Sequence, residues 1–184
     1  MIKMQRPNPA DIDIISTGGH FEKRKSQDGA LVYEPASNSF VEDMLAEVLG
    51  PAAAIKTAFL KDSSTFTDED RRLICEQVEH CPMPRVVVLH GTSTLDETAR
   101  FLFQMNLQKT IVLTGTTRRM DERPSEAFFN LGAAIGLVQA MPYGVYGVMN
   151  GRIIPPMSLR KDPVTGRYDT ASGEHLSYTP TRQS

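Results

Sequence analysis

The sequence predicts a single α/β domain on a mainly parallel sheet, and three observations carry that expectation. Short apolar, β-rich runs alternate with longer amphipathic ones. The run from Arg85 to Leu89 is apolar after its first residue, as in a central strand covered on both faces. Three of the predicted strands end in loops of glycine and hydroxyl residues: Ser16-Thr17-Gly18-Gly19, His90-Gly91-Thr92-Ser93 and Thr114-Gly115-Thr116-Thr117.

The elements follow in order. The first strand is Ile12 to Ser16. The charged stretch from Glu22 to Gly29 offers nothing that can be buried cheaply and reads as a surface loop. Phe40 to Leu49 forms a helix, stopped by Gly50 and Pro51. Ala54 to Leu60 is the second long strand, and Asp62 to Phe66 a polar connection. Thr67 caps a helix with Asp68, Glu69 and Asp70 in its first turn and Leu73, Ile74, Gln77 and Val78 facing inward. After the third strand, Thr94 to Glu97 reads as a capping box that opens a helix through Phe101, Leu102 and Met105. Strand four is Thr110 to Leu113. Pro124 suits the first turn of a helix over Ser125 to Ala140. Val145 to Met149 is the fifth strand, continued by or paired with Arg152 to Ile154. Beyond Pro155-Pro156 the apolar periodicity fades. The expected organisation is a domain over residues 1–161 and a polar arm over 162–184.

Composition narrows the function classes. The 184 residues suffice for one sizeable domain. The net charge of −2 supplies no basic face for nucleic acid. No run approaches the roughly 18–20 apolar residues of a membrane span, and the first residues hold no secretory h-region, so the cytoplasm is the expected compartment. Cys75 and Cys81 form no metal or redox pattern: Cys75 lies in an apolar stripe, Cys81 just past the helix, and cytosolic thiols stay reduced. No spacing of His, Cys, Asp or Glu calls for a metal, and no cofactor is expected.

In open α/β sheets the ligand crevice lies outside the carboxyl ends of the strands. The glycines allow close backbone approach and the hydroxyls hydrogen-bond, so Thr17, Gly18, Gly19, Gly91, Thr92, Ser93 and Thr116 are the candidate contacts of a small polar or anionic ligand. The bland alternative is that these hydroxyls serve only turns and caps; three such loops on one sheet edge weigh against it. No G-x-x-x-x-G-K-[ST] segment is present, and no G-x-G-x-x-G follows the first strand, so a nucleotide site is poorly supported.

The segments Ile14 to Gly19, His90 to Ala99 and Thr110 to Gly115, with Phe129-Asn130-Leu131 and Val148-Met149-Asn150, resemble bacterial-type L-asparaginases. The family's amino-terminal domain reads T-G-G-T-I and H-G-T-D-T-x-E-E-T-A at the first two loops, and the resemblance runs in order along nearly the whole chain. It implies a flavodoxin-like three-layer αβα sandwich and hydrolysis of a small amide by a threonine nucleophile, a proton acceptor and oxyanion donors, without metal. Carried over residue by residue, Thr92 matches the second active-site threonine. Lys161, twelve positions after Met149, matches the lysine that partners it; the alternative is a solvated tail lysine. Ser63 matches the serine that holds the substrate carboxylate, and Tyr33 the tyrosine of the active-site loop.

Three departures accompany the match. His20 stands where T-G-G-T places the primary nucleophile, and a histidine supplies a base but no alkoxide. Ser93 replaces the aspartate that binds the substrate's amino group, which removes a charge-assisted hydrogen bond of roughly 1.5–3 kcal/mol. The family's smaller carboxyl-terminal domain has no counterpart here. Two roles for His20 stay open: base for Thr92, or ligand binding and space filling without chemistry. His90 is expected to orient its loop, His80 and His175 carry no signal, and Arg118 and Arg119 either face an anion or fix the loop after strand four. The sequence thus leaves two functions in view: a divergent amidohydrolase using Thr92, Lys161 and His20, and an inactive small-ligand-binding protein. The expected ligand is a small amide or amino-acid-like molecule. Self-association, or a separate partner subunit, would complete the site.

Overall fold

A computed structural model describes residues 12–33, 40–47 and 53–170. Six strands form one sheet: β1 (Ile12–Gly18), β4 (Ala54–Lys61), β5 (Arg85–Leu89), β6 (Thr110–Thr114), β7 (Gly144–Met149) and β8 (Arg152–Ile154). Their order across the sheet is β4-β1-β5-β6-β7-β8. The first five run parallel, and β8 returns antiparallel to β7 through a turn with Asn150 and Gly151 at positive φ.

The three-layer architecture follows from alternation along the central strands. Val86 and Val88 join one buried cluster with Ile74, Cys75 and Val78 of α2 (Asp68–His80) and Leu95, Ala99 and Leu102 of α3 (Leu95–Gln104). Val87 and Leu89 face the other way, against Val41 and Met44 of α1 (Phe40–Glu47) and Ala127, Leu131, Ala134 and Val138 of α4 (Ala127–Ala140). Helices therefore cover both faces, which is why strand β5 reads as an unbroken apolar run. The chain steps outward from β1 to β4 and then returns to β5, so the strand order reverses between β1 and β5. A crevice opens at the carboxyl ends of strands at such a reversal.

Several local expectations are corrected. The charged stretch after β1 is not a bare loop: β2 (Lys23–Lys25) and β3 (Leu31–Tyr33) pair as an antiparallel hairpin. Glu22, at its start, is buried, and its Oε1 accepts the Ser16 hydroxyl at 2.8 Å. A carboxylate placed on a hydroxyl is spared part of the cost of burial. Thr67 does close a capping box with Asp70, but Thr94 does not cap α3. Its hydroxyl donates instead to the Ser63 carbonyl at 2.7 Å. On α2, Leu73 is exposed, while Cys75 and Arg71 point inward. Pro124 precedes α4, which starts only at Ala127, and the Arg123–Pro124 peptide is cis. Residues 48–52, with the predicted helix stop at Gly50-Pro51, lie outside the described residues.

The stretch read as a polar arm also has structure. β9 (Leu159–Lys161) and β10 (Tyr168–Thr170) form a hairpin, and Tyr168 is 2 % exposed. Three-residue strands are too short to show periodicity. Residues 171–184, including His175, lie outside the described residues. Both cysteines are buried free thiols whose pKa values burial raises, to about 12 for Cys75 and about 11 for Cys81. Among the described residues, no helix is long and apolar enough to cross a membrane.

Candidate active site

The first loop begins where Thr17, buried at the end of β1, donates its hydroxyl to the Leu89 carbonyl at 2.9 Å. This bond ties the ends of β1 and β5 together. Gly18 and Gly19 follow at φ 99° and 72°, conformations that favour glycine. Space is equally restrictive. A Cβ on Gly19 would lie 2.8 Å from Gly91 Cα, and one on Gly18 would lie 2.7 Å from the Lys61 carbonyl oxygen. The first two loops therefore touch backbone to backbone, and His20 and Thr92 each follow one of the two touching glycines.

The second loop is tied at almost every residue. His90 is fully buried; its Nδ1 lies 2.7 Å from the Gly91 carbonyl oxygen and its Nε2 2.8 Å from Thr98 Oγ1. Burial lowers its pKa to about 4, so the imidazole is neutral at pH 7. Gly91 has no room for a side chain, because a Cβ there would meet Ser63 Oγ at 2.5 Å. Ser63 lies in a single 3₁₀ turn, Ser63–Thr65, after β4, and is 1 % exposed. Its Oγ accepts the Ser93 N–H at 3.1 Å. The Ser93 side chain faces solvent.

Thr92 is 7 % exposed and is gripped twice by one hairpin. Lys161 Nζ donates to Thr92 Oγ1 at 2.9 Å. Tyr168 donates its hydroxyl to the Thr92 carbonyl, and Tyr168 is the cross-strand partner of Lys161. Burial pushes the Tyr168 hydroxyl's pKa up, so it stays a donor. Tyr168 is invisible to sequence reasoning because it lies where the apolar periodicity has already faded.

His20 sits apart from this pair. It occupies a 3₁₀ turn, Gly19–Phe21, half-buried. Among the described residues its ring makes no hydrogen bond. Burial lowers its pKa and Lys23 adds to the effect, while Asp62 and Glu122 oppose it. Asp62 is itself occupied: Oδ2 accepts Lys23 Nζ at 2.9 Å, and Oδ1 accepts the N–H and hydroxyl of Ser64 at 3.1 and 2.8 Å. These bonds, Lys23 first, hold its carboxyl far below the usual range. Tyr33 pairs across the hairpin with Lys23, and burial raises the pKa of its hydroxyl.

The third loop is a brace. Thr116 is fully buried and donates its hydroxyl to the Arg118 carbonyl at 2.6 Å. Both arginines fix this loop: Arg118 donates to the Pro124 carbonyl at 3.0 Å, and Arg119 pairs with Asp121 and Glu122. Asn130 of α4, also fully buried, donates to the Gly115 carbonyl at 2.8 Å and accepts the Asn150 N–H at 2.9 Å. The two asparagines of the sequence resemblance therefore meet at the ends of β6 and β7. Among the described residues no group of three or more His, Cys, Asp or Glu is placed to hold a metal ion.

The structure thus brings Thr92 and Lys161 into contact and sets Ser63, Gly91 and Ser93 around them. His20 and Tyr33 stand with Lys23 and Asp62, apart from that pair, and Thr116 lies within the supporting third loop.

Comparison with known proteins gives the lineage. Residues 11–175 match the family model described as asparaginase, N-terminal. A glutamyl-tRNA(Gln) amidotransferase subunit of Methanococcus maripaludis is 37 % identical over 156 residues, 80 % of this chain and 36 % of that protein. An L-asparaginase of Bacillus licheniformis is 26 % identical over 129 residues, 67 % of this chain and 40 % of that protein. The thermostable L-asparaginase from Thermococcus kodakarensis superposes with a TM-score of 0.77 at 24 % identity, over 92 % of this chain and 54 % of that one. The chain therefore spans little more than a third of these curated relatives and about half of the solved structure. It belongs to the asparaginase family and carries that family's N-terminal domain.

Proposed function

We propose that this chain is a divergent amidohydrolase in which Thr92 is the nucleophile and Lys161 its proton acceptor. The observation that carries the reading is the 2.9 Å contact between Lys161 Nζ and Thr92 Oγ1. A nucleophilic hydroxyl needs a base within hydrogen-bond reach, and a lysine in its amine form is one. The buried surroundings of Thr92 hold its oxygen in place through Tyr168 and the His90 loop. Thr92 Oγ attacks the amide carbonyl as its proton passes to Lys161. That proton then goes to the leaving nitrogen, ammonia departs, and water cleaves the Thr92 ester to the carboxylate. His20 stands where the family's primary threonine is expected, so the activity rests on the second loop rather than the first.

Purified chain is expected to release ammonia from a small amide. Thr92→Ala is expected to lower that release by on the order of a thousandfold or more with its melting temperature unchanged. Full activity in Thr92→Ala overturns the reading. A second reading, ligand binding without turnover, is favoured by His20 alone. It predicts thermal stabilisation by a small amide or carboxylate with no ammonia formed.

The reading places the protein in the cytoplasm, where its two thiols stay reduced. We also propose that a second chain, either another copy or a separate subunit, contributes to the site. Self-association in size-exclusion chromatography supports the first, and a strictly monomeric chain at high concentration contradicts it.

A further inference from the structure

A cavity lies at the opposite end of the sheet from Thr92. Thr92 follows the carboxyl end of β5, whereas Gly144 and Val145 open β7 at its amino end, level with Thr110 at the start of β6. With the end of α3 and the turn into β6 they line a cavity of about 470 Å³. That volume falls within the roughly 300–1,000 Å³ of small-molecule pockets. None of the lining residues is Asp, Glu, Lys, Arg or His. A charged ligand would lose its hydration there without an ionic partner in return.

The lining combines apolar wall, aromatic ring and amide. Leu102 and Val145 are buried and belong to the core. Phe103 and Tyr143 also line the cavity, yet they are 49 % and 58 % exposed, so both rings have apolar area still to cover. Gln104, Asn106 and Gln108 each bring a side-chain amide that is donor and acceptor at once. None of these amides makes a hydrogen bond among the described residues. The cavity is also preformed. Asn106 sits at φ 48°, and its N–H donates to the Phe103 carbonyl at 3.3 Å. The Lys109 N–H donates to the Leu107 carbonyl at 2.8 Å, and the Lys109 carbonyl accepts the Gly144 N–H at 2.9 Å. Backbone bonds thus fix the turn that carries the amides against the start of β7, beside Tyr143. A site held in this way binds with little ordering cost.

We propose that this cavity binds an uncharged, planar nitrogen heterocycle of the nucleobase class. A flat ring covers the open aromatic area of Phe103 and Tyr143. Its ring nitrogens and amino groups pair with the glutamine and asparagine amides, whose donor and acceptor match such an edge. A purely apolar ligand would leave those amides unpaired, and an ionic one would find no counter-charge. The site is separate from the amide chemistry at Thr92 and does not depend on it.

Adenine is the probe, because it is neutral and carries no carboxamide on which Thr92 could act. NMR titration of the full chain is expected to give a Kd of about 1 mM or tighter. Benzoate, equally flat but anionic, is expected to bind about tenfold more weakly or worse. Tyr143→Ala and Phe103→Ala each remove one ring from a half-exposed position. Each is expected to weaken adenine binding about fivefold or more, while the melting curve without adenine stays that of wild type. No binding of adenine at millimolar concentration, as for a face that serves only to dock another protein, overturns the proposal. Benzoate bound as tightly as adenine, or adenine binding unchanged in both ring variants, overturns it equally.

Discussion

The two loops that touch at Gly19 and Gly91 are built on opposite plans. In the β5 loop, His90, Gly91, Thr92, Ser93 and Thr94 are each held by a bond or a contact from elsewhere in the fold. In the β1 loop, two positive-φ glycines set the path, and the histidine that follows makes no hydrogen bond among the described residues. Preorganisation of a reacting group comes from the shell that locks it. Both backbones are packed, but only the side chain after Gly91 is locked by a partner, and that favours Thr92 over His20 as the proposed reacting group. The residue that departs from the family pattern sits in the β1 loop.

This contrast breaks or sharpens under four experiments. The largest effect is expected from Lys161→Ala, which removes the proposed proton acceptor from Thr92. It should lower kcat about 100- to 10,000-fold while a melting curve stays close to wild type. A loss below tenfold would return the lysine to the surface.

The second experiment reads the two histidines through pH. Folding disfavours the charged form of His90, so the unfolded chain takes up a proton first. The stability of the neutral ring is intact above pH 6.5 and is lost as pH falls toward 4, by about 3 kcal/mol at most. His90→Gln should flatten the fall in melting temperature across that window relative to wild type. His20 is half-buried and its pKa is also lowered, so His20→Ala should change the same curve far less.

Third, Gly91→Ala forces a methyl group against Ser63 and should cost about 1–3 kcal/mol in chemical denaturation. A neutral result would mean that the loop gives way easily. The smallest effect is expected from His20→Ala, a change in kcat/KM of less than about tenfold. A loss of several hundredfold would instead give His20 the proton-transfer role and make the two loops equal partners.

The long strands were legible because parallel strands covered on both faces carry a strong local signal, as β5 does. Thr67 was legible because its partner, Asp70, lies three residues on. Thr94 carries the same local pattern and was misread, since its hydroxyl is claimed by a carbonyl 31 residues earlier. Glu22 was misread for the same reason: Ser16 makes its burial tolerable, and no window of sequence shows that pairing. The Thr92–Lys161 contact joins residues 69 apart and was reachable only through the family resemblance. Tyr168 left no signal at all.

Lys161 and Tyr168 face each other across the last described hairpin, and together they hold the Thr92 side chain and main chain. Both follow every strand of the six-stranded sheet in the sequence. A nascent chain that has already formed β1, β5 and β6 presents Thr92 with neither partner in place. The paired contacts on Thr92 come into being only when synthesis has passed residue 168. A chain stopped before Lys161 would therefore lack the contact on which the proposed activity rests.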